Sequence, residues 1–178
     1  RVLSEGAVGV TLSGAFQVDV IVSQGCRPVG HPLTVTSSER NRILGIEGQP
    51  PLIHIHDLIE QLSEHDRALL QARGLLIGRT VDSQQKDPGR GDFLIRGVIG
   101  LDQSTGAIAV SDDIPEGETV QFHLRDAETA KEDLEMLLQS QAFFEPPSGG
   151  LIFSCNGRGT WLYGHSNGDI STVQSALG

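Results

Sequence analysis

From Phe16 to Val22 apolar and polar residues alternate: Phe16, Val18, Val20 and Val22 share one face, with Gln17 and Asp19 on the other. A period of two predicts a strand with one face buried. Val8–Leu12 is a short apolar run ahead of it, and Ser13-Gly14 supplies a turn. Behind it, SQGCRPVG at 23–30 is expected to force the backbone round a turn with Cys26 and Arg27 at its tip. LTVTSS and RILGIE then read as the arms of a hairpin joined over Glu39–Arg42.

The period changes after Pro50-Pro51. Leu52, Ile55, Leu58, Ile59 and Leu62 have the 3–4 spacing of a helix with a buried stripe, and Pro suits a first helical turn. Ser63 with Asp66 predicts a capped second helix running to Ala72 and ended by Gly74. LLIGRTV is the next strand, followed by a polar loop over Ser83–Gly91. DFLIRGVIGLD and GAIAVSD form a hairpin over Gln103–Gly106, and TVQFHLR is a strand with Val120, Phe122 and Leu124 inward. Asp126 caps a helix along which Ala127, Ala130, Leu134, Leu137 and Leu138 align. Pro146-Pro147 and Gly149-Gly150 form a linker. LIFSC is expected to be a buried strand ending in the turn NGRG, from which TWLYG departs. Hairpins with helices between them predict an α+β fold: mainly antiparallel β-hairpins in a layered sheet core, with two or three covering helices.

Composition narrows the functional classes. The 178 residues carry 23 acidic and 13 basic side chains, a net charge of −10 and a pI near 4.9, a poor match for nucleic acid or an anionic membrane. One Trp and one Tyr disfavour a base-stacking surface. No run of about 18 apolar residues is present, and RVLSEGAVGV lacks the order of a signal peptide. Two cysteines in a chain of this size point to free thiols and a reduced, cytoplasmic protein.

Candidate chemistry gathers at two similar places. SQGCRPVG and FSCNGRGTW each bring a thiol into a glycine-bearing stretch with an arginine within three positions. Glycine lets a ligand approach backbone N–H groups, and the guanidinium fork suits carboxylate or phosphate. The alternative is structural: glycine shapes the turn, cysteine fills a small space and arginine pairs with a neighbouring acid. Arg96, in the strand FLIRGVI, and Arg125, at the end of VQFHL, add two more cations. Arg96 is expected to be mostly buried and held by a carboxylate or by backbone carbonyls. The turns Gly25–Arg27 and Cys155–Arg158 are expected to face each other across one cleft, where guanidiniums need an anion, a carboxylate side chain or water between them.

SQGCRPVG, LTVT, GDFLIRGVIGLD, GAIAVSD, VQFHLRDAETAKEDLEMLL and LIFSCNGRG, in that order, resemble the FIST domain, the sensory module of F-box and intracellular signal transduction proteins, and specifically its C-terminal half. The resemblance runs from about Phe16 to Gly164. It implies an intracellular sensory module that binds a small, anionic metabolite such as an amino acid and relays it to signalling or F-box-type partners, with no cofactor. Carried over residue by residue, it puts Gly25, Cys26 and Arg27, Arg96 and Arg125, and Cys155, Asn156, Gly157 and Arg158 in the ligand pocket. The family's N-terminal half is matched only by what correspond to its final strands, Val8–Val22, and the family continues beyond the counterpart of Gly178. Residues 1–178 are therefore expected to be one domain and a fragment of a longer protein.

Two other readings stand beside this one. A cysteine-dependent enzyme would use Cys155 or Cys26 as nucleophile with His31 or His165 as base. A ligand-free interaction scaffold would use an exposed apolar patch. His54 and His56 lie two apart, a poor spacing for one helix face, so no metal is expected. Arg90-Gly91-Asp92 is read as chance, and the acidic face of the helix after Asp126 as a solvated surface.

Overall fold

A computed structural model describes residues 5–7, 9–81, 88–89 and 91–178. Among the described residues, six strands, β1 (Cys26–Glu39), β2 (Arg42–Ile46), β3 (Leu76–Thr80), β4 (Phe93–Leu101), β5 (Ile108–Val110) and β6 (Thr119–Arg125), are joined by helices: α1 (Pro51–Gln61) and α2 (Glu64–Arg73) follow β2, and α3 (Ala127–Gln139) follows β6. A 3-10 turn over Ser140–Phe143, a single-turn helix α4 (Thr160–Tyr163) and α5 (Gly168–Leu177) complete the order. The fold is α+β. All strand pairs are antiparallel, and the sheet closes into a barrel in the order β1-β2-β5-β4-β3-β6.

Closure depends on β1, which spans fourteen residues and pairs with β6 through its first part and β2 through its last. Its register against β6 shifts between Val29 and Leu33, where Gly30 takes φ +68° and Pro28 and Pro32 cannot donate. The Gln121 amide donates to the freed Gly30 carbonyl at 2.8 Å, so the bend leaves that carbonyl satisfied. The core is largely aliphatic: Val29, Leu33, Val35, Ile43, Ile46, Ile77, Ile108, Val110, Val120 and Leu124 are buried with the ring of Phe122, and Leu58 and Leu62 pack on them at the end of α1. On β6 both faces are covered, because Gln121 and His123 are buried too. His123 takes its place against Phe93, edge to face at 4.9 Å, and over Gly78, where any Cβ would meet the imidazole at 2.7 Å. Burial lowers its pKa, so the ring is neutral and bonds the Gln121 carbonyl.

The helix signals match the structure closely. Pro51 starts α1; Ser63 accepts from the Asp66 N–H and Gly74 ends α2. Asp126 caps α3 by accepting from Glu128 N–H, and Ala130, Leu134 and Leu138 are its buried face. Both predicted hairpins, β1–β2 and β4–β5, form. His54 bonds the Ile46 carbonyl at 2.8 Å, so half of the His-Ile-His pattern ties α1 to β2. Most of the Ser83–Gly91 loop and Arg90 lie outside the described residues.

Three local expectations are corrected. Phe16–Val22 is not a strand: it is irregular, and Val18, Val20 and Val22 are 66–79% exposed. LIFSC is likewise irregular and open to solvent, with Phe153 at 91%. In both, the apolar pattern has no ladder partner among the described residues, and a strand is defined by pairing as much as by sequence. Cys26 and Arg27 do not sit in a turn; they open β1, opposite Arg125 and Leu124.

Candidate functional site

The site is a cleft of about 320 Å³ lined by Ser23, Gln24, Cys26, Leu94, Ile95, Arg96, Arg125, Phe153, Cys155 and Arg158. Four parts of the chain meet there. The approach to β1 is pinned by the Gln24 amide, which donates to the Phe93 carbonyl at 2.6 Å. β4 adds Leu94, Ile95 and Arg96, the last residue of β6 delivers Arg125, and the loop after residue 150 delivers Phe153, Cys155 and Arg158. The common cleft expected for the two cysteine segments is thus present.

Glycine makes the approach possible at two points. Gly25 has φ +64°, and a Cβ there would come within 2.7 Å of both the Ala130 Cβ and the Arg158 Nη1. A Cβ at Gly157 would overlap the Arg125 guanidinium. Backbone and arginine are therefore in direct contact on both sides of the cleft.

The four arginines have different surroundings. Arg158 is held by Asp169 through two bonds of 2.8 and 2.7 Å and donates to the Tyr163 hydroxyl at 2.8 Å, with its side chain 9% exposed. This is the carboxylate counter-charge expected for a guanidinium at the cleft. The bidentate hydrogen bond holds the Asp169 carboxyl below its usual range, and burial with the Asp169 bond pushes Tyr163 up to about 12. Arg96 pairs with Asp112 at 2.7 Å, as expected, and its side chain is a third exposed. Arg27 does not line the cleft: it reaches away to Asp66 and to the helix cap Asp126, where two carboxylates compensate it. Arg125 has no carboxylate within ion-pair distance among the described residues; it meets the Cys155 sulfur at 3.9 Å and lies over the Trp161 ring at 5.9 Å.

The two thiols, both free as expected, differ as sharply. Burial pushes the Cys26 thiol up, against the opposing pull of Arg125 and Arg158. Burial also opposes ionisation of Cys155, but the Gly157 N–H, the Arg125 contact and the charges of Arg125 and Arg158 outweigh it and bring that thiol down. Asn156 is exposed and is not part of the lining. His31 and His165 do not line the cleft either; His165 stacks near Tyr163 on a groove between α3 and α5. Sequence reasoning missed Trp161, Phe153 and Asp169. Trp161, the single tryptophan three residues after Arg158, is a signal that was available; Asp169 carries none, because its pairing depends on how α5 returns.

An antiparallel α+β barrel with an arginine-lined cleft is the class that fold and site define. Comparison with known proteins specifies it: the FIST C domain matches residues 55–178 and the FIST N domain matches residues 1–49. The chain belongs to the FIST family, whose domains are in general sensory domains of signal transduction. It is 44% identical over 179 aligned residues to uncharacterized proteins of Mycobacterium tuberculosis (strains CDC 1551 / Oshkosh and ATCC 25618 / H37Rv), covering 99% of this chain and 46% of each relative. An uncharacterized protein of Mycobacterium bovis shows the same identity and coverage. The chain thus spans about half the length of the curated relatives it matches. No solved structure matches it. β1 and β2 lie in the FIST N match and β3–β6 in the FIST C match, so the barrel is built from both.

Proposed function

We propose that this chain forms the ligand-holding part of a cytoplasmic sensory module, and that the cleft takes a small metabolite bearing a carboxylate, such as an amino acid. The observation that carries the reading is Arg125. Its guanidinium lines the cleft, and no carboxylate compensates it among the described residues. Arg27, Arg96 and Arg158, by contrast, each have an acidic partner. An arginine beside an aromatic ring at the wall of a small cleft suits a planar anion, which its fork can bind through two bonds. The cleft volume is at the lower end of the small-molecule range of roughly 300–1,000 Å³. Support for binding rather than catalysis comes from the lining, which offers no histidine or carboxylate to act as a base beside Cys155.

The placement of Arg158 supports a relay to signalling partners. The same residue lines the cleft and holds Asp169 in the first turn of α5, so an anion that competes for Arg158 loosens that helix. The full chain is to be melted with a panel of amino acids and other small carboxylates, and the hits titrated by calorimetry. A raised melting temperature with at least one carboxylate, lost in Arg125→Met, is the expected result. A panel without any shift, or binding that survives Arg125→Met unchanged, overturns the reading.

A further inference from the structure

The cleft holds two thiols that the ligand reading leaves unused as a pair. Cys26 is buried at the first position of β1, and Cys155 is exposed on a segment with no ladder partner among the described residues. Both line the same cleft, and two links connect them. Arg125 is the ladder partner of Cys26, and its guanidinium reaches the Cys155 sulfur at 3.9 Å. Arg158 donates its backbone N–H to the Cys155 carbonyl at 3.0 Å, while its Nη1 stands 2.7 Å from the Cβ position of Gly25, the residue just before Cys26.

We infer that Cys155 and Cys26 form an oxidation site for hydroperoxides, in which Cys155 is attacked first and Cys26 resolves it into a disulfide within the chain. The Cys155 thiolate attacks one oxygen of the peroxide. The O–O bond breaks, a sulfenic acid forms, and the leaving alkoxide or hydroxide takes up a proton to give alcohol or water. Sulfur is oxidised by two electrons and the peroxide is reduced by two. The Cys26 sulfur then attacks the sulfenic sulfur: the S–S bond forms, the S–O bond breaks, and the hydroxyl leaves as water with the Cys26 proton.

The surroundings suit these unequal roles. Cys155 is accessible, and the Gly157 N–H and two guanidiniums favour its thiolate despite partial burial, as a peroxide-reactive sulfur requires. Cys26 is shielded and burial keeps it protonated, so it does not compete for the peroxide. A disulfide requires Cα atoms about 4.4–6.8 Å apart. Residues 151–155 are outside the barrel ladder, so the loop can adjust toward β1 without breaking strand pairing. The bond then crosses the cleft and removes the Arg125–Cys155 contact. None of this depends on what the cleft binds.

The reduced 178-residue chain treated with hydrogen peroxide is the test. Peptide mapping by mass spectrometry is expected to find Cys26 joined to Cys155, with loss of two hydrogens from the intact chain, reversed by dithiothreitol. In Cys26→Ser the reaction is expected to stop at a Cys155 sulfenic acid that dimedone traps; in Cys155→Ser, Cys26 is expected to stay unmodified while the protein is folded. The wild-type map needs no variant, so a folding defect in either does not blunt the test. Over-oxidation of Cys155 with Cys26 left free, or links only between separate chains, overturns the inference. Failure here leaves the carboxylate titration untouched, and the reverse holds.

Discussion

The barrel and the two apolar segments outside it have nearly the same sequence grammar and opposite fates. In β6, Val120, Phe122 and Leu124 alternate along a strand and are at most 3% exposed. In residues 16–22, Phe16, Val18, Val20 and Val22 alternate just as regularly and are 52–79% exposed. β6 is hydrogen-bonded on both sides, by β1 and β3. The outer segment has no ladder neighbour among the described residues, and neither does Leu151–Cys155. Alternation states what a strand would bury; burial itself depends on a neighbour.

The strongest way to break this comparison is to delete the same kind of side chain on each side of it. Phe93 is 1% exposed and packs its ring on His123. Phe93→Ala is expected to lower unfolding stability by about 3–5 kcal/mol, through lost burial and the cavity left behind. Val20→Ala is expected to change it by less than about 0.5 kcal/mol, because Val20 is already 79% exposed. Urea denaturation of both variants checks the contrast. A loss of several kcal/mol from Val20→Ala would mean that residues 16–22 are buried in solution.

What was legible in the sequence divides along the same line. Helices were readable because their signals are local: Ser63, Gly74 and Asp126 each act within a few residues of themselves. Hairpins were readable because their arms are adjacent in sequence. Barrel closure was not, because the β1–β6 pairing joins residues roughly ninety positions apart and rests on a bend at Gly30 that looks like any other glycine. At the site, the repeated Cys-Gly-Arg pattern pointed to one cleft, and the structure places Cys26, Cys155 and Arg158 on it. The same pattern misassigned Arg27. Alternation along β1 turns its side chain away from that of Cys26, and Asp66 and Asp126 are there to receive it.

The loop carrying Cys155 differs from residues 16–22 in having an anchor, the Arg158–Asp169 pair, with side chains 9% and 13% exposed. Asp169→Asn keeps the shape but removes the charge, and is expected to cost about 2–3 kcal/mol at neutral pH. The pH dependence has a definite sign. The folded protein holds the Asp169 carboxyl below its ordinary value of 3.8, so its contribution is complete above that value. It is lost as pH falls through the lower, folded-state pKa. Wild type and Asp169→Asn should therefore converge in stability in strong acid, as read by thermal melts across an acid series. A gap that is constant with pH would mean that Asp169 acts by shape alone.

Gly25 is the joint between the exposed segment and the barrel, so changing it tests whether the junction is specified. Alanine there must accept φ +64° and a contact of 2.7 Å with Ala130 and Arg158. Gly25→Ala is expected to destabilise by roughly 1–2 kcal/mol. Part of the strain is relieved if Arg158 shifts, so Cys155 should become easier to alkylate in the same variant. Unchanged stability together with unchanged Cys155 reactivity would show that the first residues of β1 are not packed on α3 and Arg158.

A smaller effect than that at Gly25 is expected from Arg96, which sits mid-strand in the barrel and is a third exposed. A charge in the middle of an apolar strand suggests a buried pin whose loss would be severe. The structure instead leaves Arg96 and Asp112 33% and 29% exposed, joined by a 2.7 Å bond. Water screens a pair that open, and such pairs contribute at most about 1 kcal/mol. Arg96→Met is therefore expected to cost no more than about 1 kcal/mol, with the methionine stem still covering part of the cleft wall. The Arg96 hydrogen bond holds the Asp112 carboxyl below its ordinary value of 3.8, so even this small difference belongs to the pH range above it and fades as the carboxyl is protonated. Denaturation at neutral pH and in acid measures both quantities. A loss near 3 kcal/mol would place Arg96 with the buried side of the comparison.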